Sequence, residues 1–218
     1  MSKALFALPF LAMALIAAKP APVAPPSVVA VPSEVAADPA NKLILDLSTG
    51  GRVVIQLRPD IAPAHVERIR TLTQRGFYNG VIFHRVIPGF MAQTGDPKGT
   101  GEGGSELPDL KAEFNALPHF RGTISAARAQ ADDSANSQFF IMLAPRFALN
   151  NRYSAFGRVI EGMAAVDAIA VGEPPPQPTR IVRATIGAPT AAPAQAVAPD
   201  PAPAAPAPEA TPPTPSGG

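Results

Sequence analysis

Four groups of residues in this 218-residue chain carry side chains or backbone able to do chemistry, and three of them fail on context. Gly99-Thr100-Gly101-Glu102-Gly103-Gly104 has the glycine spacing of a dinucleotide-binding turn, which brings backbone N–H groups up to a pyrophosphate. Such a turn must open a helix. Here Ser105-Glu106-Leu107-Pro108 follows, so the segment reads as a flexible loop. His65, His84 and His119 stand far apart without metal-site spacing, and each reads as structural or solvent-facing rather than as a ligand. Asp132-Asp133 precedes Ser134, but no base stands out to activate that hydroxyl, so the pair reads as a polar loop. There is no cysteine, which removes disulfides, thiol nucleophiles and thiolate metal sites. The fourth group is a cluster of arginine, glutamine and large apolar residues between Phe83 and Asp96. It lacks a nucleophile, but it could supply directed hydrogen-bond donors beside a dry surface.

The elements that would hold these residues are mostly strands. Leu43–Leu47 and Arg52–Leu57, joined by Ser48-Thr49-Gly50-Gly51, predict a β-hairpin with both arms well buried. Val66, Ile69 and Leu72 recur at helical spacing after Pro63, which suits a first helical turn, and Gly76 can end that helix. Short β-like runs follow at Val81–Val86, Gly89–Thr94, Thr123–Ala127, Gln138–Leu143 and Ser154–Ile160. A second helix is predicted over Met163–Ile169 and a last strand over Ile181–Ile186. Many short strands with two helices predict a small antiparallel barrel or sandwich; a parallel α/β sheet would need more helices.

Composition sets the boundaries. The formal net charge of +1 argues against nucleic acid and anionic membranes as partners. Proline is in excess, with 28 residues, and is concentrated near the two ends. Lys3 and the apolar run Ala4–Ala18 have the length of a signal-peptide core and are short for a bilayer span, so residues 1–18 are expected to direct export, most simply to the periplasm. The alternative is an uncleaved anchor, the one route by which the membrane becomes a partner. Cleavage is expected near Ala18, although Ile16 spoils a clean site. Residues 19–40 read as a Pro/Ala-rich spacer of extended character, and residues 188–218 as a disordered tail with Asp200 and Glu209 but no base or aromatic ring. A docking or tethering role for that tail is the alternative. The domain able to form a core is then residues 41–187.

Three blocks within it carry a resemblance. Phe83-His84-Arg85-Val86-Ile87-Pro88-Gly89-Phe90-Met91-Ala92-Gln93-Thr94-Gly95-Asp96 resembles the central signature of the cyclophilins. Gly122–Arg128 with Asn136-Ser137-Gln138-Phe139-Phe140-Ile141, and Tyr153–Val159 followed by Glu161-Gly162-Met163, match in the same order and approximate spacing. The short bacterial members are most similar. The resemblance implies a closed eight-stranded antiparallel β-barrel capped by two α-helices, with the site on its outer face. It implies peptidyl-prolyl cis–trans isomerisation, which breaks no covalent bond and so requires neither cofactor nor metal. The barrier to that rotation is about 18–20 kcal/mol, and a site that favours the twisted amide over either planar form lowers it.

By the same resemblance Arg85 is the catalytic donor and Gln93 holds it and the substrate backbone in place. Phe90, Met91, Phe140 and Leu149 are expected to form the proline pocket, with Tyr153 as its aromatic wall. Ala127 and Gln138 are expected along the peptide groove, and Phe139 and His84 in structural roles. The chain departs from animal relatives at Ala148, where they carry tryptophan, which implies weak cyclosporin binding. Tyr153 replaces a histidine and Arg128 an asparagine, the latter bearing on preference next to the proline. The expected partners are proline-containing unfolded or flexible polypeptides, the expected duty is assisting exported proteins to fold, and the chain is expected to act as a monomer. The rival is a non-catalytic proline-peptide chaperone or scaffold on the same fold.

Overall fold

A computed structural model of the chain describes residues 29–188. The leader read in residues 1–18, the spacer before residue 29 and the tail beyond residue 188 lie outside the described residues.

The hairpin forms as its pattern predicts. β1 (Lys42–Leu47) and β2 (Arg52–Leu57) pair with Leu43 opposite Ile55 and Asp46 opposite Arg52, whose side chains form an ion pair at 2.6 Å. Helix α2 (Pro63–Gln74) buries Val66, Ile69 and Leu72, the stripe visible in the sequence. Its first turn lacks a capping side chain of its own. Glu113, far along the chain, accepts from the backbone N–H of Ala64 (3.1 Å) and His65 (3.0 Å) and takes the place of a cap.

The remaining strands are β3 (Arg85–Ile87), β4 (Met91–Thr94), β5 (Thr123–Ala126), β6 (Phe139–Met142), β7 (Ala155–Glu161) and β8 (Ile181–Ile186). All pair antiparallel in one curled eight-stranded sheet of order β3-β4-β6-β5-β7-β2-β1-β8. The closed ladder expected between its edges is replaced by isolated bridges, Ile82 with Arg180 and Val86 with Gly172. The physical reason is the run before β8: Pro174, Pro175, Pro176 and Pro178 have no N–H to offer a ladder. β3 is shorter than the run predicted over Val81–Val86, and the residues before it bond across the seam instead, Phe83 N–H to the Thr179 carbonyl at 2.9 Å. Helix α3 (Met163–Asp167) covers the first part of its predicted range.

One expectation needs correcting. The extended spacer expected through residue 40 ends earlier: Ser33–Ala37 form helix α1 with Val35 buried. Two buried amides hold it: Asn41 Nδ2 (3.0 Å) and Gln56 Nε2 (3.2 Å) both donate to the Val35 carbonyl. Arg70 of α2 reaches back to the Ala40 carbonyl at 3.0 Å. The folded unit therefore begins before residue 41.

The main core fills the inside of the curled sheet with Leu43, Leu45, Ile55, Phe83, Ile124, Phe139, Ile141 and Phe156, closed by α2. A second, smaller cluster of Met91, Phe140 and Met142 lies apart from it. The two clusters come from opposite faces of the same strands, as the period of two in a β-strand requires.

Candidate active site

Register builds the site. Arg85 on β3 pairs with Gln93 on β4, and Gln93 pairs with Phe140 on β6, so these three stand in one row across three strands. Met91, two residues before Gln93, projects on the same face and pairs with Met142. The intervening Ala92 points the other way and is buried in the main core. Phe90, Leu149 and Tyr153 reach this face from the turns around the strands and pack, half-buried, against the Met91–Phe140 cluster. Phe90 is held there by its carbonyl, which accepts from the Leu143 N–H at 2.8 Å. Leu149 arrives on a short 3-10 turn, Phe147–Leu149.

Together these side chains surround a hollow of about 130 Å³ lined by Arg85, Phe90, Met91, Gln93, Ala127, Arg128, Phe140, Leu149 and Tyr153. Every residue assigned to the site from sequence lines it except Gln138. Tyr153 meets Phe140 edge-on with centroids 5.8 Å apart, and His119 stacks behind Phe140 at 6.3 Å. Burial lowers the His119 pKa, and its Nδ1 faces Asn150 Oδ1 at 3.1 Å, so a neutral imidazole forms the back wall. His119 thus has the structural role read for it. His84 is buried as well, and burial lowers its pKa too.

Gln138 sits one step away, where it connects the hollow to a second one of about 520 Å³ that also borders Gln93, Ala127 and Arg128. Gln93 Nε2 donates to Gln138 Oε1 at 2.8 Å, and Gln138 Nε2 donates to the carbonyls of Gly101 (2.9 Å) and Gly103 (2.8 Å). The Gln93 amide is therefore oriented with one N–H engaged by Gln138, leaving its second N–H and its carbonyl oxygen for a bound chain. The glycine-rich segment is a loop, as read, and its shape comes from one buried carboxylate. Asp96 accepts from Lys98 N (2.8 Å), Thr100 N (2.8 Å), Thr100 Oγ1 (3.0 Å) and Gly101 N (2.7 Å). Burial pushes its pKa up, but these donors and the Gly103 N–H outweigh burial and hold it down at about 2. Glycine is required at 103, because an added Cβ would lie 1.9 Å from Asp96 Oδ1.

Two residues were not assigned to the site from sequence. Arg128, noted only as a departure, covers the Tyr153 ring at 4.9 Å and borders both hollows. Glu173 accepts from Arg85 Nε at 2.9 Å; it lies 88 residues away in sequence, and nothing local to either residue announces the pair. Among the described residues no three His, Asp or Glu side chains are grouped to hold a metal ion. What the site offers is a half-exposed guanidinium and an oriented amide at the rim of an apolar hollow.

Comparison with known proteins agrees with this geometry. Residues 44–186 match the family model described as cyclophilin type peptidyl-prolyl cis-trans isomerase/CLD. A "probable peptidyl-prolyl cis-trans isomerase" of Brucella suis is 49% identical over 180 residues, covering 75% of this chain and 91% of the relative. A "peptidyl-prolyl cis-trans isomerase-like 1" of Aspergillus fumigatus is 38% identical over 155 residues, 67% of this chain and 96% of the relative. Among solved structures, the cyclophilin AquaCyp293 of Hirschia baltica superposes with a TM-score of 0.64 at 30% identity, covering 68% of this chain and 74% of that one. A Cryptosporidium parvum cyclophilin-type isomerase, crystallised in the presence of the dipeptide Ala-Pro, superposes with a TM-score of 0.63 at 27% identity, covering 67% and 99%.

Proposed function

The chain belongs to the cyclophilin-type peptidyl-prolyl cis–trans isomerases, and on that premise we propose that rotation about Xaa-Pro bonds is catalysed by Arg85 at the 130 Å³ hollow beside it. The observation that carries this is the row Arg85–Gln93–Phe140, set by strand register. Phe90, Met91, Phe140 and Leu149 seat the pyrrolidine ring by burying apolar surface, with Tyr153 as the wall. As the amide twists, resonance is lost and the prolyl nitrogen gains a lone pair able to accept a hydrogen bond. A guanidinium stays charged at every working pH and presents directed donors, so Arg85 favours the twisted state over both planar ones. Seating the ring in the hollow displaces water from beside that contact and strengthens it. Gln93 offers its free carbonyl oxygen to the bound chain, while Ala127 and Gln138 border the groove through which the chain continues.

The substrate class is Xaa-Pro within flexible polypeptide, and the Ala-Pro dipeptide present with the Cryptosporidium relative supports it. The hollow is complete within one chain, so the proposed reaction needs no second copy. The apolar run at Ala4–Ala18 supports export to the periplasm and a duty in folding exported proteins, with residues 188–218 as a linker. Sequencing the mature N-terminus from fractionated cells tests the location: a chain starting at Met1 in the cytosol would end that reading.

The catalytic assignment is tested by a protease-coupled assay on Xaa-Pro peptides. Arg85→Ala is expected to lower kcat/KM on the order of a hundredfold, the loss typical of removing one transition-state donor. An unchanged rate would remove Arg85 from the mechanism.

A further inference from the structure

Arg85 is not free to wander over its hollow, because the backbone places a carboxylate opposite it. Val86 and Gly172 exchange both backbone hydrogen bonds, N–H to O at 2.8 Å and 3.1 Å. In an antiparallel pairing that register sets residue 173 across from residue 85. The Glu173 carboxylate meets Arg85 Nε there at 2.9 Å.

The segment presenting Glu173 is stiff. Gly172 adopts φ +147°, and a Cβ on it would stand 2.7 Å from Pro175 Cα, so the chain doubles back on itself here in a way only glycine allows. Pro174, Pro175, Pro176 and Pro178 further restrict it. On the other side of the contact, no described residue but Glu173 bonds to the Arg85 side chain, and both Nη groups are left without a protein partner. Arg85 and Glu173 also border a shared open groove together with His84 and Gln93.

We infer that Glu173 is a positioning residue for the reaction: it anchors the Arg85 guanidinium by its Nε–H, so that the unclaimed Nη edge is presented to the prolyl amide. The inference rests on the assignment of Arg85 as the catalytic donor. A long arginine side chain otherwise loses rotamer freedom when it engages substrate, and a contact made beforehand removes part of that loss. The competing role is a brake, in which the carboxylate weakens the guanidinium's pull. Both groups are about half exposed, at 41% and 51%, so solvent screens the charge while leaving the direction of the bond intact. Placement therefore outweighs charge.

The test uses the full chain with Glu173→Ala and Glu173→Gln. Alanine removes the acceptor, and kcat/KM is expected to fall on the order of tenfold, mostly in kcat, as the donor edge becomes misaligned. Glutamine keeps an oxygen that accepts from Nε–H and is expected to restore most of the rate. The Arg85 Nε–H resonance, protected from exchange in the parent and in the glutamine variant, is expected to lose protection with alanine. Melting temperatures should barely move in either variant, since exposed pairs contribute little to stability. Glu173→Ala at or above the parent rate overturns the inference, and so does a glutamine variant as slow as the alanine one. Arg85→Ala tells the two failures apart. If it retains full rate, the catalytic assignment itself is wrong; if it is crippled while Glu173→Ala is not, only the anchoring role falls. When both hold, the double variant is no slower than Arg85→Ala alone.

Discussion

Strand β6 presents two adjacent phenylalanines to two different environments. Phe139 is wholly buried, meets Tyr78 and Phe156 edge-on at 5.7 and 6.2 Å, and belongs to the main core. Phe140 is nearly as buried, at 5% exposure, yet its neighbours are Met91, Met142, His119 and Tyr153, and one side of it lines the hollow. The inner ring is closed on all sides, whereas the outer ring leaves room for a guest. On the proposed function, one alternation of side chains builds both a folding core and a proline-binding surface, and they differ in whether the last wall is supplied by the protein or by the substrate.

The comparison breaks most visibly if both rings are truncated. Phe139→Ala is expected to cost about 3–5 kcal/mol of unfolding free energy, because the surrounding core cannot collapse onto the cavity. The folded fraction should keep its kcat/KM. Phe140→Ala should cost less in stability, since its hollow side already lacks protein contacts, but kcat/KM should fall at least tenfold as the proline seat is lost. Urea unfolding and peptide kinetics on the same two variants check this. Equal kinetic losses would mean that the inner and outer faces are not functionally distinct.

The sequence made much of this legible, for physical reasons that also mark its limits. Arg85 lies on β3, Met91 and Gln93 on β4, and Phe90 in the short turn between them, so this part of the site is written in nearly contiguous residues. The buried stripe of α2 follows from 3.6-residue spacing alone. Glu113 at the start of α2, and Glu173 beside Arg85, are placed by chain returning from 48 and 88 residues away; no local pattern carries that information. Helix α1 was hidden by its composition, because a stretch rich in Pro, Ala and Val looks like spacer until buried amides on β1's approach and on β2 claim its carbonyl. The seam between the sheet edges depends on the local proline run before β8, which a resemblance in strand number and pairing does not carry.

A sharper form of the comparison sets the apolar hollow against the polar shelf next to it. The shelf is lined mostly by polar and glycine residues, and its glycine-rich edge is shaped by Asp96. Its pKa of about 2, against 3.8 when unfolded, means that the carboxylate stabilises the fold fully above pH 4 and loses that contribution as pH falls from about 4 to about 2. The contribution is about 2 kcal/mol. Asp96→Asn should be less stable at pH 7 and should lack that acid-dependent decline, so the two unfolding curves converge near pH 2. Curves that stay parallel down to pH 2 would show that backbone geometry, not the charge, holds the loop. Gln138 bonds to carbonyls of this loop, so the variant should also loosen Gln93 and lower kcat/KM by a few fold.

The smallest effect is expected at Arg128, which borders both regions. Its guanidinium covers the Tyr153 ring and pairs with Asp132 at 3.2 Å, an exposed partner that leaves much of the charge available. On the proposed function, a residue just before the proline would pass from the hollow towards the shelf, near this cation. A glutamate there should be favoured over a lysine by a screened interaction worth about 0.2–1 kcal/mol, at most about a fivefold ratio of kcat/KM. Arg128→Ala should narrow that ratio and leave hydrophobic-Pro peptides little affected, and added salt should narrow it in the parent in the same way. If the ratio survives the substitution, selectivity belongs to the backbone of Ala127 and the loop rather than to the charge, and the two regions recognise substrate by shape alone.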